Sequence, residues 1–201
     1  MTGIRTALEV VDWRRSVFAL YDEVRELEPR AGHALWRTRR DDLMRSHPAT
    51  PVLPEDRAAF SGLPVAEYDP AWRFEVPVEA AEPLSFDFET GTDGIVQYER
   101  LGIARVPGVG DLDVWRHTGY GGGVFLPIRD GLAGHGTYGG GRYLLDTIKG
   151  ADLGFEGSRL VLDFNFAYNP SCAYDPAWAC PLAPLGDRVS VDIPVGELYG
   201  A

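Results

Sequence analysis

Apolar residues near the start of the chain recur at helical spacing. In ALEVVDWRRSVFALYDEVRELEP they fall at Leu8, Val11, Phe18, Tyr21, Val24 and Leu27, with Val17 and Leu20 alongside. Steps of three and four keep such positions on one side of a helix, which predicts an amphipathic helix ended by Pro29. A second helix is expected from about Ala31 to Met44, stopping before Pro48. A third, short one is expected in LPEDRAAF, where Pro54 suits a first turn and Glu55 and Asp56 suit the positive end of a helix dipole.

After Ser61 the pattern changes to short runs rich in valine and aromatic residues, some of them alternating: WRFEVPVE, LSFDFET, IVQYERLGIARV, DLDVWRH, GVFLPIRD and RLVLDFNFAY. Turn-forming stretches separate them, among them GTDG, PGVG and TGYGGG. Strands joined by glycine turns, with no long helix between them, predict antiparallel hairpins rather than a doubly wound parallel sheet. RVSVDIPV adds a last strand at an edge, where Pro194 is tolerated. The expected fold class is mainly β (α+β), an antiparallel barrel-like sheet with two or three N-terminal helices. Residues 1–60 would form a helical segment packed on the barrel and residues 61–201 the β domain.

Composition narrows the function. The 201 residues include 24 glycines and 15 prolines and carry a net charge of −11. So acidic a chain repels phosphate backbones, which argues against general nucleic-acid binding. The stretch RAGHALWRTRRDDLMRSH is locally basic, either a solvated helix face or a small dock for an acidic partner or membrane surface. Met1 to Leu27 lacks an apolar run and carries Asp12, Glu23 and Glu26, so no export signal is expected. No stretch approaches a membrane span. The expectation is a soluble cytoplasmic protein with its two cysteines as thiols.

Three places carry candidate chemistry. If LVLDFNFAY is one strand, Leu160, Leu162, Phe164 and Phe166 share a core face, and Val161, Asp163 and Asn165 share the other. Asp163 and Asn165 are then ligand contacts, or a base and its orienting group, if that face lines a cavity, and ordinary polar residues if it faces water. In TYGGGRYL, three glycines let a backbone approach a ligand, and Arg142 could pair bidentately with a carboxylate or phosphate. An internal pair of Arg142 with Asp163 or Asp130 is the alternative. The spacing fits neither a dinucleotide fingerprint nor a P-loop.

Cys172 and Cys180 lie eight apart, and the histidines at 33, 47, 117 and 135 have no ligand spacing, so no metal site is expected. The cysteines are packing thiols, or a disulfide contributing about 2.5 kcal/mol; a nucleophilic thiol would need a base, and nothing local in the sequence supplies one. The pentapeptide YDPAW occurs at 68–72 and again at 174–178, which predicts two similar Asp-Pro corners. No G-x-S-x-G is present. His135, in a glycine-rich loop, reads as an exposed residue or a base, and Asp146 joins Asp130 and Asp163 as carboxylates whose convergence sequence alone does not place.

FLPIRD, TYGGGRYL, LDFNFAYNPSCAYDPAWACPLAP and VDIPVGE together resemble the C-terminal signature of a bacterial family, domain of unknown function 1684. FSGLPVAEYDPAWRFEVPV resembles its N-terminal lead, so the likeness spans roughly residues 37 to 197. The resemblance implies no established activity, cofactor or substrate. It singles out Asp130, Tyr138, Gly139, Gly141, Arg142, Asp163, Asn165, Asn169, Pro170, Cys172, Cys180 and Pro181. Relatives carry an acid where this chain has Gly136 and asparagine where it has Asp187.

The expected function is therefore a pocket at a barrel end for an unidentified small molecule, anionic by preference and open to hydrolytic chemistry. Its candidate contacts are Tyr138, Gly139, Gly140, Gly141, Arg142, Asp163, Asn165 and Asn169. Asp130, Pro170, Cys172, Cys180 and Pro181 would be structural, with no cofactor, nucleic acid or membrane partner. The alternative is a non-catalytic structural or interaction domain in which the same polar residues satisfy buried groups.

Overall fold

The computed structural model describes residues 3–90, 94–178 and 180–200, with Glu89 and Thr90 described by backbone alone. The expected turn at Gly91-Thr92-Asp93 lies outside the described residues. Helix α1 spans Ile4–Arg25 and α2 spans Pro29–Ser46. Pro29 occupies the first turn of α2, where its missing N–H costs nothing, so it opens the second helix and does not merely end the first. The buried stripe of α1 is Val17, Leu20, Tyr21 and Val24, while Leu8, Val11 and Phe18 remain exposed. Gly32 lets α2 approach closely, since a Cβ there would lie 3.1 Å from Val24 O.

The expected third helix is absent among the described residues. Residues 54–59 form hydrogen-bonded turns, with Asp56 N donating to Leu53 O at 2.9 Å, and they are exposed throughout. An eight-residue helix with no apolar face to bury does not hold.

The strands are β1 Arg73–Glu79, β2 Ser85–Thr90, β3 Gly94–Val106, β4 Gly110–His117, β5 Val124–Ile128, β6 Arg142–Asp146, β7 Phe155–Glu156 and β8 Arg159–Asp163. All pairings between these strands are antiparallel, in the order β6-β5-β4-β3-β1-β8-β7, with β2 also on β3. The result is a half-barrel. Between Arg100 and Gly102 the β3–β4 register shifts, and β1 closes on this point so tightly that a Cβ on Gly102 would lie 2.3 Å from Glu79 O. The interior is filled by Val76, Ala104, Leu112, Leu126, Leu162 and Ile193. A second cluster joins the helices to Phe166 and Ala151, and a third gathers Tyr98, Trp115, Phe125, Tyr143 and Cys180.

The expected last strand at RVSVDIPV is not part of the sheet. Residues 189–195 are assigned to no strand, with isolated bridges flanking them at Arg188 and Glu197. Ile193 and Val195 are buried in this stretch while Asp192 and Pro194 are exposed, so it keeps the alternation of a strand. What replaces a neighbouring strand is a side chain from β6. Among the described residues, no helix is long and apolar enough to cross a membrane.

Candidate functional site

That side chain is Arg142, fully buried at 0% exposure. Its Nη1 donates to Val195 O and, at 3.1 Å, to Glu197 O; its Nη2 donates to Ile193 O at 3.0 Å and to Asp130 Oδ2 at 2.8 Å. Carbonyls two apart along an extended chain face the same way, as those of Ile193 and Val195 do, and past the left-handed Gly196, at φ 78°, the Glu197 carbonyl meets the same guanidinium. Burial pulls the Arg142 pKa down, while Asp130 opposes the shift. Asp130 is in turn fixed by Thr137 Oγ1 at 3.1 Å and Leu132 N at 2.8 Å. Gly141, at φ 93°, sits where a Cβ would fall 2.6 Å from Ile128 O, so the glycine loop is tight because β5 and β6 meet there. Arg142 thus buttresses the C-terminal segment from within the fold.

Asp163 ends β8 and caps the following 3-10 turn, Phe164–Phe166, with Oδ1 accepting from Asn165 N at 3.1 Å. The expected alternation, which ran to Phe166, therefore stops three residues early, at Asp163. Asp163 and Asn165 meet through a turn, with Asn165 Nδ2 donating to Asp163 Oδ1 at 2.7 Å. Tyr68 OH donates to Asp163 Oδ2 at 3.2 Å, and Arg73 Nη1 lies 3.6 Å from the same oxygen. Asn165 also exchanges two 2.8 Å bonds with the backbone of Asp69. Burial raises the Asp163 pKa despite these partners.

His33 bonds to the Asn165 backbone and packs among Trp36, Tyr68 and Phe166, and burial lowers its pKa. Arg142 and Asp163 do not pair, and neither lines the two clefts described below. Each is sealed in its own network. Tyr138, next to the glycine loop, hydrogen-bonds Cys172 O at 3.4 Å and packs edge-on against Tyr199.

The two YDPAW segments do form matching corners. Asp69 Oδ1 accepts from Ala71 N at 2.9 Å, and Asp175 Oδ1 accepts from Ala177 N at 2.8 Å. Their aromatic residues diverge: Trp72 packs on the core, whereas Trp178 is 41% exposed.

A further polar centre escaped the sequence reading. Glu197, also 0% exposed, accepts from Arg40 Nε, from Asn169 N at 2.7 Å and from Tyr174 OH at 3.1 Å. Burial works against the Arg40 charge, but Glu197 outweighs it and holds the Arg40 pKa above its ordinary value. Burial, with Glu197 adding to it, raises the Tyr174 pKa. Arg40 looked like part of a solvated basic face. It lies one helical turn from both Trp36 and Met44, two of the buried residues of α2, and that four-residue spacing is the signal that places it inward.

Two clefts flank this centre. One, of about 50 Å³, lies between the helices and the sheet and is lined by Trp13, Tyr21, Arg40, Lys149 and Tyr168. The other, of about 430 Å³, lies between residues 52–64 and the tail at Leu198–Gly200. Asn169 and Tyr174 line both. Asn169 is 2% exposed, and its Nδ2 donates to Leu198 O at 3.1 Å. Among the described residues nothing hydrogen-bonds its Oδ1. Of the eight candidate contacts, Asn169 is the one among the described lining of these two clefts. Pro170 joins it on the wall of the smaller one.

Cys172 and Cys180 are both free thiols. Cys172 N donates to Cys180 Sγ at 3.3 Å, and Tyr143 OH donates to Pro181 O at 2.8 Å, which ties this loop to β6. Among the described residues, no group of three or more His, Cys, Asp or Glu side chains converges as a metal site.

A half-barrel whose open side is closed by its own C-terminal segment and clasped by a helical hairpin is the class of protein this architecture defines. The chain belongs to the family described as Protein of unknown function (DUF1684), whose model matches residues 58–198. It is similar to an uncharacterized protein of Haloarcula marismortui solved by solution NMR, at 34% identity and a TM-score of 0.59, over 81% of this chain and 90% of that one. No functionally curated protein matches it.

Proposed function

We propose that the protein binds a small molecule in the cleft between residues 52–64 and the C-terminal tail. The carrying observation is the buried, unpartnered Oδ1 of Asn169 at a cleft of about 430 Å³. A buried acceptor without a donor costs about 1–3 kcal/mol, which a ligand N–H or O–H would recover. The volume falls in the ordinary range for ligand pockets. Leu53, Phe60, Leu63, Pro64 and Leu198 offer apolar walls, and Asp56 is the charged residue among the described lining. These features suit a neutral or cationic ligand with an apolar body and one donor group, and they argue against the anion that Arg142 had suggested. The described lining holds no histidine, cysteine, serine or lysine, so the reading is of binding without a hydrolytic step.

The test is a thermal-shift screen of apolar alcohols, amides and amines, repeated on Ala173→Trp, which fills the cleft from a half-buried position. Ligands should raise the melting temperature of the parent protein and not that of the variant. Equal shifts in both, or none in the parent, sink the proposal.

A second reading has its own support. Arg142, Asp130, Asp163 and Asn165 satisfy one another and the backbone, as a purely structural signature would require. An empty screen favours it.

A further inference from the structure

We propose that Cys172 and Cys180 form a peroxide-reactive dithiol, in which Cys180 is oxidised first and Cys172 resolves it to an intramolecular disulfide. The inference is independent of the ligand-binding reading. The backbone already holds the two residues together. The Cys180 sulfur lies 3.3 Å from the amide nitrogen of Cys172 and accepts its N–H. A donated N–H stabilises a thiolate at Cys180, the nucleophilic form of the residue.

The surroundings assign different parts to the two thiols. The Cys172 side chain, then its backbone N–H and then Lys149 favour the Cys180 thiolate against its burial, whereas its neighbour Cys180 and burial push the Cys172 thiol up. Tyr138 OH sits 3.7 Å from Cys172 Sγ, on the resolving partner. Access matches: Cys172 is half-buried and Cys180 is 8% exposed, so an oxidant the size of water suits the site better than a bulky disulfide.

In the first step the Cys180 sulfur attacks one oxygen of hydrogen peroxide. The O–O bond breaks, and the departing hydroxide is protonated to water, which leaves a sulfenic acid. In the second step the Cys172 sulfur attacks the Cys180 sulfur. The S–O bond breaks, and its hydroxyl leaves with the Cys172 proton as a second water. The protein loses two protons and two electrons, together two hydrogen atoms, and the peroxide is reduced by the same two electrons. The disulfide would tie the turn at Ser171–Ala173, which frames both clefts, to Cys180.

The experiment treats the full chain with one equivalent of hydrogen peroxide and follows intact mass and peptide map. The expected result is a mass lower by two hydrogens and a cross-linked peptide joining residues 172 and 180. Cys172→Ser should stop with one oxygen on Cys180, trapped by dimedone, and Cys180→Ser should react roughly tenfold more slowly or less, as expected when the thiolate is removed. Oxidised glutathione should react more slowly than peroxide with the parent protein. Independent oxidation of both cysteines to sulfinic acids overturns the proposal, as does no reaction under conditions that oxidise free cysteine. The parent result decides the matter alone if either variant fails to melt as a folded protein.

Discussion

Replacing Asp187 by asparagine is expected to stabilise the protein by an amount that grows with pH. Asp187 is 0% exposed. Its Oδ2 accepts from Trp115 Nε1 at 2.7 Å, while among the described residues nothing hydrogen-bonds Oδ1. Burial holds its pKa well above the ordinary carboxylate value, and nearby Asp113 adds to the shift, against the offsetting bond from Trp115. In the unfolded chain this carboxyl ionises near pH 4. Between that point and the raised folded value, the native state binds more protons than the unfolded one. The stability the carboxyl contributes is therefore complete in acid and is lost as pH rises through the folded pKa.

Asparagine has no such proton to lose. It keeps an acceptor for Trp115 and offers N–H donors in the neighbourhood of Asp113. Relieving an unsatisfied buried acceptor is worth about 1–3 kcal/mol. A chain of this length shifts its melting point by about 2–4 °C per kcal/mol, so a gain of roughly 2–12 °C is expected near pH 8. Near pH 4.5, roughly where a reference carboxyl is still partly protonated, parent and variant should melt almost together. Calorimetry of both proteins across this range reads the difference directly. A gap that does not change with pH, or a lower melting point for Asp187→Asn near neutrality, refutes the reasoning.

Arg142→Lys should lose about 3–5 kcal/mol in urea denaturation, because one ammonium cannot hold Asp130 and three carbonyls together; a loss below about 1 kcal/mol, the scale of an exposed pair, contradicts this. Gly102→Ala should cost about 1–3 kcal/mol from its contact with Glu79 O. Gly108→Ala, at φ 75° with nothing within 4 Å, should show conformational strain alone, of about 1 kcal/mol. Burial depresses the His33 pKa, so the parent should lose stability as pH falls below about 6.5, the value of the unfolded chain, and His33→Phe should lack that slope. Urea midpoints at several pH values compare the two.

Much of the fold was legible because its signals are local. The six valine-rich and aromatic runs became β1 to β5 and β8, and the helical period gave α1 and α2, whereas the short strands β6, directly after the glycine loop, and β7 were not expected. The failures share a cause. Asp163 reads as a strand residue until its carboxylate captures the Asn165 N–H and turns the chain, a competition that alternation does not encode. VDIPV reads as a strand and remains extended, but its partner is a guanidinium 53 residues upstream at Val195, which no pattern within the segment can announce. The internal Arg142–Asp130 pair was one of two readings the residues allowed, and only packing placed it. Arg40 and Glu197 are 157 residues apart, and the one sequence trace of their meeting is the shared helix face with Trp36 and Met44.

The position of Glu197 has a consequence for how the molecule comes to exist. Its carboxylate anchors the second helix, and its carbonyl, with two others upstream, is what the β6 guanidinium grips. Both clasps wait until Glu197 has been synthesised, 157 residues after Arg40. The helical hairpin and the half-barrel therefore lock in a single late event. Closing such long chain separations at that stage makes folding slow, and it leaves any chain stalled before Glu197 with an arginine in its interior and nothing to hold.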